Sequence, residues 1–259
     1  MRIILSPAKK MKTDTDSLPI SGMPELLSKT EVILQWLRGL SQNSLQALWG
    51  CNDKIAQENF ARLESMKLTS NLTPAILSYE GIAFQYMAPS VFAITHFEYI
   101  QEHLRILSAF YGCLRPMDGV TPYRLEMQAK AQIAGHKNLY DFWGDDLYNS
   151  VRDESGVIVN LASKEYSRCV EKYLQPTDRF LTVTFCEESK GKLVTKGTYA
   201  KMARGEMVRF MAENSVQEVE GIKDFDRLGY EFREDISTDT EYVFERKVGE
   251  KHGFRYSKA

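Results

Sequence analysis

Residues Val157 to Leu161 read VIVNL, a nearly continuous apolar run, and no other pattern constrains the fold of this chain as strongly. A strand with one wet face alternates apolar and polar residues, so an unbroken run marks a strand covered on both faces. Ser163 follows it as a helix cap. Arg2 to Leu5 is a second short apolar strand, and it delivers the turn Ser6-Pro7-Ala8-Lys9. Arg179 to Cys186 and Lys192 to Lys196 are strand-like and joined by EESKG, the pattern of a hairpin, and Glu241 to Lys247 is a late strand. Helical spacing of apolar residues predicts helices over Pro24 to Leu40, with Pro24 in the first turn, and over Thr198 to Asn214, which carries Lys201 and Arg204 on one face. A capping box at Thr95-His96-Phe97-Glu98 opens another helix, which Ile100, Leu104, Leu107 and Tyr111 extend to Gly112. In that helix Arg105 and Ser108 lie off the apolar stripe, open to solvent or ligand. The expected class is mixed α/β (α+β): one compact domain over residues 1–259, with interspersed helices, a mostly buried sheet and no GxGxxG or Walker loop.

Composition narrows the chemistry. At 259 residues and 43% hydrophobic the chain can bury a full core, and no run approaches the length of a membrane-spanning helix. MRIILSPAKK has too short an apolar run for a secretory signal, which predicts a cytoplasmic protein with no membrane partner. Cys51, Cys113, Cys169 and Cys186 lie far apart, and the four histidines form no zinc-ligand spacing, so neither a disulfide framework, a metal site nor a cofactor is expected. Net charge is −2, which gives no long-range attraction for a polyanion. Any such binding must be local, and basic residues do cluster at Lys9, Lys10 and Lys12 and from Lys190 to Arg209.

Two stretches point to anion binding. In HLRILSAFYGCLRPMDGVTPYRLEM, residues 103 to 127, Arg105, Arg115 and Arg124 alternate with Tyr111 and Tyr123 around turn-forming glycines and prolines. Arginine supplies a planar donor fork for phosphate or carboxylate and tyrosine a ring on which a base can stack; the same arginines would equally serve as helix caps and ion pairs with Asp118 and Glu126. The second stretch is LQALWGCNDKIAQENF, within a helix-hairpin-helix-like element at about 41–66. Leu45, Leu48, Ile55, Ala56 and Phe60 form its inner face, Gly50 its turn, and Lys54 a phosphate contact beside the amides of the second helix. Asn52 stands where such motifs commonly carry a second glycine and would tolerate a left-handed backbone, while Asp53 repels phosphate.

With these residues in view the chain resembles the YaaA family of bacterial peroxide-stress proteins over nearly its whole length. The resemblance rests on SPAK at 6–9, Tyr79-Glu80-Gly81, the 103–127 stretch, LYDFWGD at 139–145, VIVNLASKEY at 157–166 and KMARG at 201–205. It implies protection against hydrogen peroxide, limitation of iron-dependent damage, and DNA binding through a helix-hairpin-helix beside a positively charged cleft. The expected partner is therefore DNA, gripped by its backbone through Gly50, Asn52 and Lys54, with Lys9, Arg105, Arg115, Arg124, Lys201 and Arg204 lining the cleft and Tyr111 and Tyr123 stacking a base. The alternative is an enzyme acting on a nucleotide-like small anion, with Lys9, Ser6 and Asn160 as its catalytic groups at strand ends.

Overall fold

The computed structural model describes residues 1–247. Its centre is an eight-stranded mixed sheet. Five strands run parallel in the spatial order Leu104–Ser108, Arg2–Leu5, Val157–Leu161, Arg179–Ser189, Glu241–Arg246. The first strand of the chain is thus interior, with the second on one side and the remaining three on the other. That is a doubly wound arrangement, and its winding reverses between Arg2–Leu5 and Val157–Leu161. Antiparallel strands extend it: Gly112–Leu114 on Leu104–Ser108, Tyr230–Phe232 on Glu241–Arg246, and Lys192–Val194 on Arg179–Ser189.

Burial explains the strands. Ile3, Ile4 and Leu5 are no more than 1% exposed, and Ile158, Val159 and Leu161 are equally covered, as a run apolar on both pleats requires. The hairpin forms as the sequence indicates, with Lys190 and Gly191 both at positive φ in a two-residue turn whose twist suits the strands. The helices Leu27–Arg38 and Gly197–Glu213 also form, the first leaving Pro24 outside its amino end.

One expected element divides in two. The helix beginning near Thr95 runs only over Ile94–His103, and Leu104–Ser108 is a fully buried strand. Its amino end is set by Ala93, whose N–H donates to His96 Nδ1 at 3.3 Å, so the Thr95 to Glu98 box is not used. The apolar spacing of Leu104 and Leu107 fits either conformation, and parallel pairing with Arg2–Leu5 decides it. Arg105 and Ser108 are therefore buried sheet residues.

Two close backbone approaches fix what lies over the carboxyl edge of the sheet. After Lys9 the chain forms Lys10–Met11, which pairs with Tyr79–Glu80 and sets Gly81 on Ala8. A Cβ on Gly81 would lie 2.7 Å from that of Ala8, and one on Gly205 would lie 1.9 Å from the carbonyl oxygen of Ala83. Gly205 thereby locks Gly197–Glu213 onto the short helix Ile82–Met87, which starts at Gly81. Because the obstacle at Gly205 is backbone, Gly205→Ala should lower the unfolding free energy in urea by about 2 kcal/mol or more. Gly50→Ala meets nothing within 4 Å and should cost only about 1 kcal/mol through its left-handed backbone. Equal costs would contradict this packing.

Candidate functional site

The crevice where the winding reverses lies at the carboxyl ends of Arg2–Leu5 and Val157–Leu161, where open α/β sheets place ligands. Ser6 leaves the first strand and Ser163 the other. Ser6 Oγ accepts the Ser163 N–H at 2.8 Å and donates to Ser163 Oγ at 3.1 Å, so one hydroxyl ties the two strand exits. Ser163 begins the helix Lys164–Glu171, but its hydroxyl caps none of that helix's amides. The amides of Lys164 and Glu165 are then left without an intrahelical acceptor, which favours an anion at this end. Above them Lys9 Nζ pairs with Glu126 Oε2 at 2.8 Å, and Gln128 N–H donates to Glu165 Oε1 at 3.3 Å.

The floor is aromatic and closed. Ser108 Oγ, Tyr123 Oη and Tyr79 Oη form a buried hydrogen-bonded chain with separations of 2.7 and 3.0 Å, and Ser108 Oγ also accepts the N–H groups of Phe110 and Tyr111. The Phe110 and Tyr123 rings stack with centroids 4.9 Å apart, while Tyr111 meets both edge-on and bonds Thr121 through its hydroxyl. Burial pushes the Tyr111 and Tyr123 hydroxyls up to about 12, so they remain protonated hydrogen-bonding groups at neutral pH. The expectation that these two rings stack an unpaired base is corrected: both are core residues with their ring faces covered.

The arginines separate. Arg105 is buried, and its Nη1 donates to the carbonyls of Gln101, Glu102 and Leu104 at 2.8 to 3.3 Å, capping the end of Ile94–His103. Arg115 is exposed and shares with Arg105 a cavity of about 260 Å³ that also holds Glu25, Cys113 and Asp118. Arg124 Nη2 reaches the carbonyl oxygen of Trp49 at 3.5 Å, at the end of the helix Gln42–Trp49. Lys201 is exposed on Gly197–Glu213, and Arg204 on the same helix has a buried Nε with no hydrogen-bond partner among the described residues. Burial lowers the Arg204 pKa, the condition of a guanidinium that lacks an anion. Thus Ser6 ties the two strand exits, Lys9 three residues on pairs with Glu126, and the lock of Gly205 on Ala83 sets the Arg204 helix over the segment that starts at Gly81. Arg105 and Arg115 belong to a different cavity. Asn160 lies near the end of Val157–Leu161, where its amide donates to Thr182 Oγ1 and its carbonyl accepts the Ala162 N–H, so it shapes the strand end.

The predicted helix pair forms as Gln42–Trp49 and Asp53–Ser65. Gly50 is left-handed, with φ 53°, whereas Asn52 is extended at φ −73° and caps the second helix by accepting the Ile55 N–H at 3.0 Å. Its left-handed tolerance is therefore not used. Gln46 Nε2 holds the Asp53 carboxylate at 2.7 Å, Lys54 is exposed, and Leu45, Trp49, Ala56 and Leu63 face the core.

Glu126, Ser163, Glu165 and Tyr79 were missed as site residues. Ser6 and Ser163 share the one available signal, each standing within two residues of the end of an apolar strand. Among the described residues no group of three His, Cys, Asp or Glu is placed to hold a metal, and no helix is long and apolar enough to cross a membrane.

The sheet order and its crevice define a doubly wound α/β protein with a polar, hydroxyl-rich switch point. Comparison with known proteins gives the particular kind: residues 1–236 match the family described as peroxide stress protein YaaA, and the chain belongs to that family. It is 65% identical over 248 residues to a UPF0246 protein of Agathobacter rectalis, covering 96% of this chain and 100% of the relative. It is 52% identical to a UPF0246 protein of Lachnoclostridium phytofermentans over 94% of this chain and 96% of the relative, and 50% identical to one of Limosilactobacillus reuteri over 95% and 99%.

In the Arg105 cavity, burial pushes the Asp118 carboxyl up to about 6, against the pull of the Arg115 amide and the Arg115 and Arg105 charges. The folded state therefore holds this proton more tightly than the unfolded chain. The stability that protonation supplies is lost as pH rises from about 4 through about 6, the reverse of a salt-bridged carboxylate. A carbon-13 titration of the Asp118 carboxyl should show a midpoint near 6. Asp118→Asn, which keeps an acceptor for the Arg115 amide, should flatten the stability slope in that window; a midpoint at the ordinary value of 3.8 contradicts the burial argument.

Proposed function

We propose that this peroxide-stress protein binds DNA through its backbone, without reading sequence, and that this contact limits iron-dependent oxidative damage. The observation that carries the reading is the helix pair. Left-handed Gly50 turns the chain so that the amino end of Asp53–Ser65 faces outward with exposed Lys54 in its first turn. Helix geometry leaves the Asp53 and Lys54 amides to an external acceptor, and Gln46 draws the Asp53 carboxylate to itself. Such a contact depends on directed amides and one ammonium, which suits a chain of net charge −2. A bound cationic group releases counterions from the phosphates, iron among them, and so thins the metal at which peroxide would react.

A second reading is favoured by the switch-point crevice: a nucleotide-like anion held between Ser6, Lys9 and the first turn of Lys164–Glu171. It is supported by the sheet order and by the unpartnered Arg204 Nε on the helix locked over Gly81. The two readings separate by mutation. Lys54→Ala should weaken duplex binding uniformly across sequences and reduce the slope of log affinity against log salt by about one. Lys9→Ala should leave that slope unchanged and lower the amount of any small anion that copurifies with the protein, as read by mass spectrometry. Unchanged duplex affinity and slope in folded Lys54→Ala would show that residues 42–65 are a core corner only.

A further inference from the structure

Beyond both readings lies a cavity of about 730 Å³ that none of the expected site residues enters. Its walls come from the loop after Leu125, from the helices Leu139–Trp143 and Lys164–Glu171, and from Trp36 on Leu27–Arg38. Three cations line it, Lys130, Lys137 and Arg168, and no carboxylate is among its lining residues. None of the three forms an ion pair among the described residues. Elsewhere on the surface Lys9, Lys10, Lys29 and Lys164 each find a carboxylate. Asp141 attracts Lys137 without forming an ion pair with it, and three cations around a concavity with no carboxylate in its wall create a positive potential that an anion would relieve.

The apolar part of the wall sets the rest of the ligand. Arg168 lies over the Tyr140 ring with its guanidinium carbon 4.3 Å from the centroid, and the Tyr140 hydroxyl donates to the Glu165 carbonyl oxygen, so this ring is already engaged. Trp36 is half-buried and lines the cavity together with Gln128 and Gln132, residue types that bring an indole ring and amide donors and acceptors. We propose that this cavity binds a free nucleoside phosphate, its base on Trp36 and the glutamine amides and its phosphates on Lys130, Lys137 and Arg168. The volume falls within the range of small-molecule sites, and stacking with charge-assisted hydrogen bonds is the chemistry such a ligand requires. Gln128 N–H and Tyr140 Oη both bond Glu165, so occupancy would bear on the first turn of the helix at the switch point.

The chain has three tryptophans, and Trp49 and Trp143 are buried, so quenching of Trp36 fluorescence reports this cavity. Titration with AMP and ATP should quench it saturably, with ATP binding more tightly. Lys137→Gln or Arg168→Gln should each weaken ATP about tenfold. Trp36→Phe should abolish the quench while calorimetry still detects ATP. The proposal is overturned if calorimetry detects neither nucleotide, if ATP binds the Lys130→Gln, Lys137→Gln, Arg168→Gln variant as well as the parent, or if tripolyphosphate binds as tightly as ATP. It is equally overturned if a thymidine oligonucleotide quenches Trp36 and AMP and ATP do not, because the occupant is then a strand. Lys54 and Lys9 lie outside these walls, so either result leaves the tests of the preceding readings independent.

Discussion

The strand Arg2–Leu5 is only four residues long, yet it is paired on both edges, with Leu104–Ser108 and with Val157–Leu161, and covered on both faces. Its neighbours come from distant parts of the chain, so no local preference assembles it; burial of Ile3, Ile4 and Leu5 must offset the cost of closing two long loops. Once it is placed, its exit is fixed between two parallel partners. Ser6 then stands within reach of Ser163, Lys9 of Glu126, and Ala8 of Gly81.

The segments that carry the family resemblance meet through these contacts. SPAK touches the Tyr79-Glu80-Gly81 turn, Glu126 and Ser163; Tyr79 joins Tyr123 and Ser108; Trp143 Nε1 donates to the Ala109 carbonyl oxygen; and Gly205 of KMARG sits on Ala83. Residues scattered along two hundred positions thus enclose one edge of one sheet. Most polar groups there are mutually satisfied, which gives a rigid frame. The exceptions are the first amides of Lys164–Glu171, which helix geometry leaves without an intrahelical acceptor, and the buried Nε atoms of Arg124 and Arg204, which have no hydrogen-bond partner among the described residues.

The sequence disclosed elements whose signal is local. VIVNL, the EESKG hairpin and the long helix before Asn214 all carry their own pattern, and the mixed α/β class follows from them. Leu104–Ser108 was misread because Leu104 and Leu107 satisfy helical spacing as well as a buried strand, and the deciding partner lies a hundred residues away. The arginine cluster was legible only by half. Residue types display donors, but the acceptors of Arg105 are main-chain carbonyls at a helix end, which no residue name announces. Tyr111 and Tyr123 misled in the same way, since a tyrosine suited to stacking a base is equally suited to a core with hydroxyl partners. The Trp36 cavity was invisible because its walls come from separate segments with no motif in common.

The central claim is that the switch point between the first and third parallel strands is closed by Ser6 and organises this edge of the molecule. Hydrogen exchange at the Ser163 amide tests it most directly. The account predicts a protected amide in the parent protein and exchange accelerated severalfold in a folded Ser6→Ala variant, which lacks the acceptor, a loss on the order of 1 kcal/mol. A Ser163 amide that exchanges freely in the parent, or whose protection is indifferent to Ser6→Ala, would contradict it.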